Sequence, residues 1–197
     1  LFSRRQKTSR DAFEKEYTEM IGTLYNCPCI AMWVPFNEGW GQFDANRIAA
    51  LTKQIDGTRT VDHASGWHDQ GGGDINSMHV YFKATRLHKD KHNRVTCLTE
   101  FGGYSLPISG HIFNTEREYG YKKFDDIEQY NIAIADLYKH DVIDLVPEGL
   151  SAAVLAQLSD VEDEVNGLVT YDRKVLKVDE TLMQTLNGQI RIGKEWI

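Results

Sequence analysis

Between residues 9 and 25, Phe13, Tyr17, Met20, Ile21 and Leu24 recur at the intervals of one helix face, and Thr8 or Ser9 is available to cap the start. The spacing predicts an amphipathic helix over 9–25. The next apolar segment has a different period. Cys29 to Phe36, CIAMWVPF, is apolar at every position, as expected for a strand covered on both faces in a parallel sheet. It stops at Asn37-Glu38. Helical spacing returns over 43–55 through Ile48, Leu51 and Ile55, and Asp56-Gly57 ends it.

The same alternation continues along the chain. Thr58 to Asp62 reads as a short strand, followed by the polar, glycine-rich HASGWHDQGGGD. Ile75 to Phe82 (INSMHVYF) and Arg94 to Thr99 (RVTCLT) read as two further strands, the second ending at Glu100 before the break at Gly102-Gly103. A long helical pattern from Phe124 to about Asp144 keeps Phe124, Ile127, Ile134, Leu137 and Tyr138 on one stripe. Ala152 to Leu158 is a fifth strand, and a last short helix is expected over 180–187. Strands alternating with helices predict an α/β fold with a parallel sheet. No repeat, low-complexity tract or Pro/Ser-rich linker interrupts the chain, so residues 1–197 read as part of one domain without an internal boundary.

Composition narrows the function classes. With 197 residues, 41% of them hydrophobic, the chain can bury one substantial core. A net charge of -7 and scattered rather than striped Lys and Arg argue against a nucleic-acid or anionic-membrane partner. No apolar run approaches the roughly 18 residues of a spanning helix. The chain opens on Leu1 rather than Met, and LFSRRQKTSR lacks the apolar stretch of a secretory signal, so the reading is that a start has been cut away and no compartment is assigned. Cys27, Cys29 and Cys97 are an odd number without zinc-like spacing and are expected to be buried free thiols. No histidine pair has HExxH spacing, and Asp69-Gln70-Gly71-Gly72-Gly73 is not a phosphate loop. No cofactor and no metal site are expected.

The chemistry concentrates at strand ends, which form the working face of parallel βα architectures. Glu38 follows one apolar strand and Glu100 another. Two carboxylates projecting from one rim suit glycosidic bond cleavage, in which one protonates the leaving oxygen and the other attacks the anomeric carbon or activates water. Trp33, Trp40, Trp67, Tyr81, Phe101 and Tyr104 lie near the same ends, and sugar rings stack on such aromatic faces. Trp33 could equally be a core residue.

These motifs resemble the C-terminal part of the barrel domain of glycoside hydrolase family 2. WVPFNEGWG resembles the strand-four motif with its acid/base glutamate, CLTEFGG the strand-seven motif with its nucleophile, and DVEDEVNGLVTYDR the segment after strand eight. The resemblance implies a parallel (β/α)8 TIM barrel, of which this chain carries about strands four to eight. It implies a retaining glycosidase acting on β-linked terminal sugars, with Glu38 as acid/base, Glu100 as nucleophile and Asn37 on the sugar 2-hydroxyl. Tyr81 matches a tyrosine that hydrogen-bonds the nucleophile, while His79 stands where an asparagine is common. Where many relatives offer a tryptophan beneath the sugar, this chain has Ala156 and Gln157, so Gln157, Trp40 or Trp67 is expected to line that place. His63, Trp67, His68 and Asp69 are candidate substrate contacts in the loop after TRTVD, the alternative being a mobile glycine-hinged loop with no direct role.

A complete barrel needs about 250 residues. Five strands alone would leave parallel edges and the barrel interior open, so the chain is expected to be part of a longer enzyme and either to self-associate over the opening or to be incompletely folded at its first and last elements. The alternative is a non-catalytic carbohydrate-binding or assembly fragment.

Overall fold

A computed structural model describes residues 3–190. They form a mixed α/β structure with parallel strand pairs, and no closed barrel is present among the described residues. The chain divides into two compact units. One comprises the residues up to His79 together with His88–Thr99, and the other comprises Val80–Leu87 and the residues from Glu100 onward. No helix among the described residues is long and apolar enough to cross a membrane.

The first unit begins with α1, Lys7–Leu24. The amides of Ser9 and Arg10 already bond to the Gln6 carbonyl, so the helix starts before Thr8 and Ser9, and neither of them is its cap. Tyr17 and Ile21 are buried in a core with Trp33, Phe36, Phe43, Ala45 and Ile48, with Phe13 and Leu24 packed against it. Phe13 stacks on Phe36 at 5.1 Å and meets Phe43 edge-on at 5.5 Å, so the stripe docks through aromatic faces. Met20, read as part of the stripe, is exposed instead.

Strand β1 is only Met32–Trp33 and pairs in parallel with β2, Thr60–Val61. The strand is shorter than the apolar run because apolar content alone does not mark where a ladder ends. Ala31 and Val34 face outward, and Pro35 has no amide to give a ladder. The parallel register nonetheless continues beyond the regular strands. The Trp33 carbonyl accepts from the Asp62 amide at 3.0 Å and the Phe36 carbonyl from Ser65 at 2.9 Å. Trp33 itself is core, its indole N–H bonded to the buried Asp56 carboxylate at 2.8 Å. Between these strands, α2 spans Ala45–Ile55 and buries Ile48, Ala49 and Thr52. Cys97 is buried as expected. Cys29 is exposed and Cys27 half-buried, because the turn that ends α1 carries them away from the core.

Strands β3, Ile75–Val80, and β4, Val95–Gly102, run from the first unit into the second, and with β7, Leu150–Ala156, they form a three-stranded sheet in the order β3-β4-β7. Glu100 therefore lies inside a strand rather than after it. The chain leaves the strand only at Gly102 and Gly103, whose φ values of 97° and 67° suit glycine. In the second unit β5, Tyr104–Ser105, pairs in parallel with β6, Lys122–Lys123. Helix α3, Ile127–Asp141, starts later than its stripe suggested because the Asp126 carboxylate caps it, accepting the Gln129 amide at 2.8 Å. A short 3-10 turn at Ile143–Leu145 follows, and α4 covers Glu180–Ile190.

Candidate active-site residues

In the first unit Glu38 sits in a tight turn. The Trp40 amide bonds to the Asn37 carbonyl at 3.0 Å, and the two central residues, Glu38 and Gly39, have φ of 53° and 78°. Two positive φ values in sequence define a type I′ geometry, in which glycine is at ease and glutamate is unusual. The turn swings the Glu38 side chain away from the strand direction. The Glu38 amide donates to the Ser65 carbonyl at 3.0 Å, continuing the parallel register started by β1 and β2 and anchoring the turn. Its Oε1 lies 2.9 Å from Nδ1 of His79, whose side chain is completely buried.

Behind His79 is a series of hydroxyls. Nε2 lies 3.1 Å from Ser65 Oγ, Ser65 Oγ lies 3.2 Å from Thr99 Oγ1, and Thr99 donates to the Met78 carbonyl at 3.3 Å. Asn37 and Trp40 are exposed beside Glu38, Trp40 at 61%. Trp67 is 48% exposed, and Gln42 fixes the neighbouring backbone by donating to the His68 carbonyl at 3.0 Å.

His63 is placed differently from a surface contact. It is 1% exposed, and its Nε2 accepts from the amides of Gln70 at 3.1 Å and Gly72 at 3.4 Å. Burial lowers its pKa, which suits the neutral, accepting ring. Asp69 forms a clamp with Arg94, which reaches its two oxygens at 2.8 and 2.7 Å and also binds Asp90. That guanidinium holds the Asp69 carboxyl down at about 2. These contacts pin the glycine-rich loop that carries Trp67.

In the second unit the Tyr81 hydroxyl donates to Glu100 Oε2 at 2.5 Å. The Tyr81 ring stacks on Tyr121 at 4.1 Å. Gly103 makes room for this stack, since a Cβ there would lie 2.2 Å from the Tyr121 ring. Gln157 follows β7 and donates through Nε2 to Glu164 Oε2 at 2.6 Å and Asn166 Oδ1 at 3.0 Å. The loop that holds it is tied by a buried ion pair, Lys177 Nζ to Asp160 Oδ1 at 2.7 Å, with a further bond from Lys177 to the Val165 carbonyl.

The sequence reading did not find Ser65, Thr99, Gly66, Tyr121 or Lys177. Small hydroxyls and a lone lysine have no spacing signature, and their roles emerge only from the fold that gathers them.

No protein-family model matches the chain, and no curated protein matches it. Among solved structures, a calcium-binding mutant of Bacteroides uniformis β-glucuronidase 2 is similar with a TM-score of 0.64 at 17% identity, over 96% of this chain and 26% of that one. Faecalibacterium prausnitzii β-glucuronidase is similar with a TM-score of 0.62 at 16% identity, over 93% of this chain and 35% of that one. B. uniformis β-glucuronidase 2 covalently bound to cyclophellitol-6-carboxylate aziridine has a TM-score of 0.60 at 18% identity, over 87% and 25%. The chain spans between a quarter and about a third of the length of these proteins. The chain thus has the fold of a segment of these bacterial β-glucuronidases.

Proposed function

We propose that this chain carries the catalytic glutamates of a retaining glycosidase acting on β-linked terminal sugars, and that it is the strand-four to strand-eight portion of a TIM barrel completed by further chain. The observation that carries this reading is the short hydrogen bond from Tyr81 to Glu100. A tyrosine donor on one carboxylate oxygen fixes the carboxylate's orientation and favours its ionised, nucleophilic form. The contact between His79 and Glu38 supports the second role. The partners of the two glutamates stand two residues apart in the sequence, at 79 and 81.

In the first step Glu38 gives its proton to the glycosidic oxygen as the bond from that oxygen to the anomeric carbon breaks. A Glu100 carboxylate oxygen bonds to the anomeric carbon from the opposite face, and the aglycone departs as an alcohol. In the second step the Glu38 carboxylate takes a proton from water, the water oxygen attacks the anomeric carbon, and the bond to Glu100 breaks. Two inversions give net retention. Asn37 is proposed to hold the sugar 2-hydroxyl, with Trp40 and Trp67 as stacking surfaces and Gln157 as a further polar contact. His63 and Asp69 serve by holding the Trp67 loop. The similarity to β-glucuronidases makes aryl β-glucuronides the first substrates to assay.

Glu100→Gln keeps the shape of the side chain and removes the nucleophile. Turnover of an aryl β-glycoside by the protein that contains this chain is expected to disappear, and unchanged turnover would exclude the assignment.

A further inference from the structure

Residues 81–87, which follow β3, run without helix or strand, and between them and α3 lies a cavity of about 500 Å³ within the second unit. That size falls among the roughly 300–1,000 Å³ of small-molecule sites. Glu100 is not part of the lining.

The polar groups of the cavity are short of partners. Asp141, the last residue of α3, is 7% exposed and lines the cavity; the Thr85 amide donates to its Oδ1 at 3.0 Å, and among the described residues nothing donates to Oδ2. A carboxylate held this far from water calls for a further donor. Tyr104 is half-buried in the same lining, and its hydroxyl takes no hydrogen bond among the described residues. Burial, with the carboxylates of Asp141 and Asp136 nearby, pushes the Tyr104 pKa up, so the hydroxyl keeps a proton to donate. Phe82 completes the set. Its ring is 81% exposed and meets Tyr121 edge-on at 4.7 Å, which presents a flat apolar surface at the cavity.

The charges restrict what fits. Asp136 and Asp141 oppose an anion, and Lys83 and Lys122 oppose a cation. The place that an organic cation would take over the Tyr104 ring is already held by Lys122, whose Nζ lies 5.0 Å from the ring centroid. A neutral ligand with hydroxyls for the carboxylates and an apolar face for a ring suits the lining best. A pyranose has both.

We propose that this cavity is a second sugar site, which takes a neutral pyranose and is separate from the roles given to Glu38 and Glu100. Phe82 stacks on the apolar face of the sugar. The Tyr104 hydroxyl donates to a sugar oxygen, and Asp141 Oδ2 and the exposed Asp136 accept from sugar hydroxyls. Such a site holds a residue other than the one being cleaved, and so favours an oligosaccharide that reaches both positions over a simple aryl glycoside.

Saturation-transfer NMR with methyl β-glucoside, methyl β-galactoside and methyl β-mannoside tests the proposal on the protein that contains this chain. The nucleophile is first blocked with a β-configured cyclophellitol aziridine, which removes the catalytic position from the readout. Saturable binding of at least one of these sugars is expected, weakened about fivefold by Tyr104→Phe and by Asp136→Ala, the loss of one hydrogen bond in each case. Tyr104→Phe keeps the ring and Asp136 is exposed on α3, so both variants are expected to keep the thermal midpoint and the turnover of an aryl β-glycoside. Binding of none of the sugars, or binding indifferent to both variants, would overturn the proposal. If the aziridine leaves Glu100 unlabelled, the catalytic reading fails, and the same titration of the unblocked protein and its two variants still decides the second site.

Discussion

Tyr81 donates its hydroxyl to Glu100 Oε2 at 2.5 Å while its ring stacks on Tyr121 at 4.1 Å, so the donor is fixed from two sides. The hydrogen bond orients the carboxylate, and the stack orients the donor. Tyr81→Phe keeps the stack and removes only the hydroxyl. The expected result is a fall in kcat of about 10²-fold, the cost of losing one pre-aimed donor at a reacting oxygen, with little change in thermal midpoint. Steady-state kinetics alongside a thermal melt separate that outcome from a packing defect, which would lower both.

Glu38→Gln removes the transferable proton but preserves the shape of the turn at Glu38-Gly39. Alkyl glycosides, whose leaving alkoxides need protonation, are expected to lose about 10² to 10⁴-fold in kcat/KM. Dinitrophenyl glycosides, whose leaving groups do not, should lose far less. A series of aryl glycosides of graded leaving ability measures this, and equal losses across the series would remove Glu38 from the acid role.

Lys177 is fully buried and bonds Asp160 at 2.7 Å beneath the loop that positions Gln157. Burial pushes the Lys177 pKa down and the Asp160 pKa up, against the pairing that holds both charged. Removing one partner strands the other charge in the interior. Lys177→Met is expected to cost about 3–5 kcal/mol in unfolding free energy, and the double variant Lys177→Met with Asp160→Leu to recover part of it. Denaturant titration of the single and double variants checks this.

The Asp69–Arg94 clamp gives the first unit an acid-sensitive contact. Hydrogen bonds from Arg94 hold the Asp69 pKa at about 2, below the roughly 3.9 of an unfolded aspartate. A depressed carboxyl pKa stabilises the fold above the unfolded value, and that contribution is lost as pH falls through the folded one. The denaturation midpoint is expected to drop between about pH 4 and 2, and Arg94→Ala should make that part of the profile shallower. Because Asp69 is half exposed, solvent screening keeps the effect modest.

How much of this was legible in the sequence differs by element. The helices were found because Tyr17, Ile21, Ile48 and Ile134 repeat at helical intervals and are buried as the pattern requires. Their ends were misjudged where a cap was not obvious, as at Gln6, or where a true cap such as Asp126 lay inside the predicted helix. The strand reading of Cys29–Phe36 overshot because apolar content does not reveal where Pro35 interrupts a ladder. Glu38 and Glu100 stood out by their place after apolar runs, and Tyr81 through its motif. Ser65 and Thr99 did not, since an isolated hydroxyl is ordinary until the fold sets it against His79.

The most direct test of the central claim is covalent trapping. The protein containing this chain is incubated with a β-configured cyclophellitol aziridine, and the labelled peptide is mapped by mass spectrometry. The account predicts one equivalent of label, on Glu100 and absent in Glu100→Gln. Label on another residue, or hydrolysis that releases the inverted anomer, would contradict it.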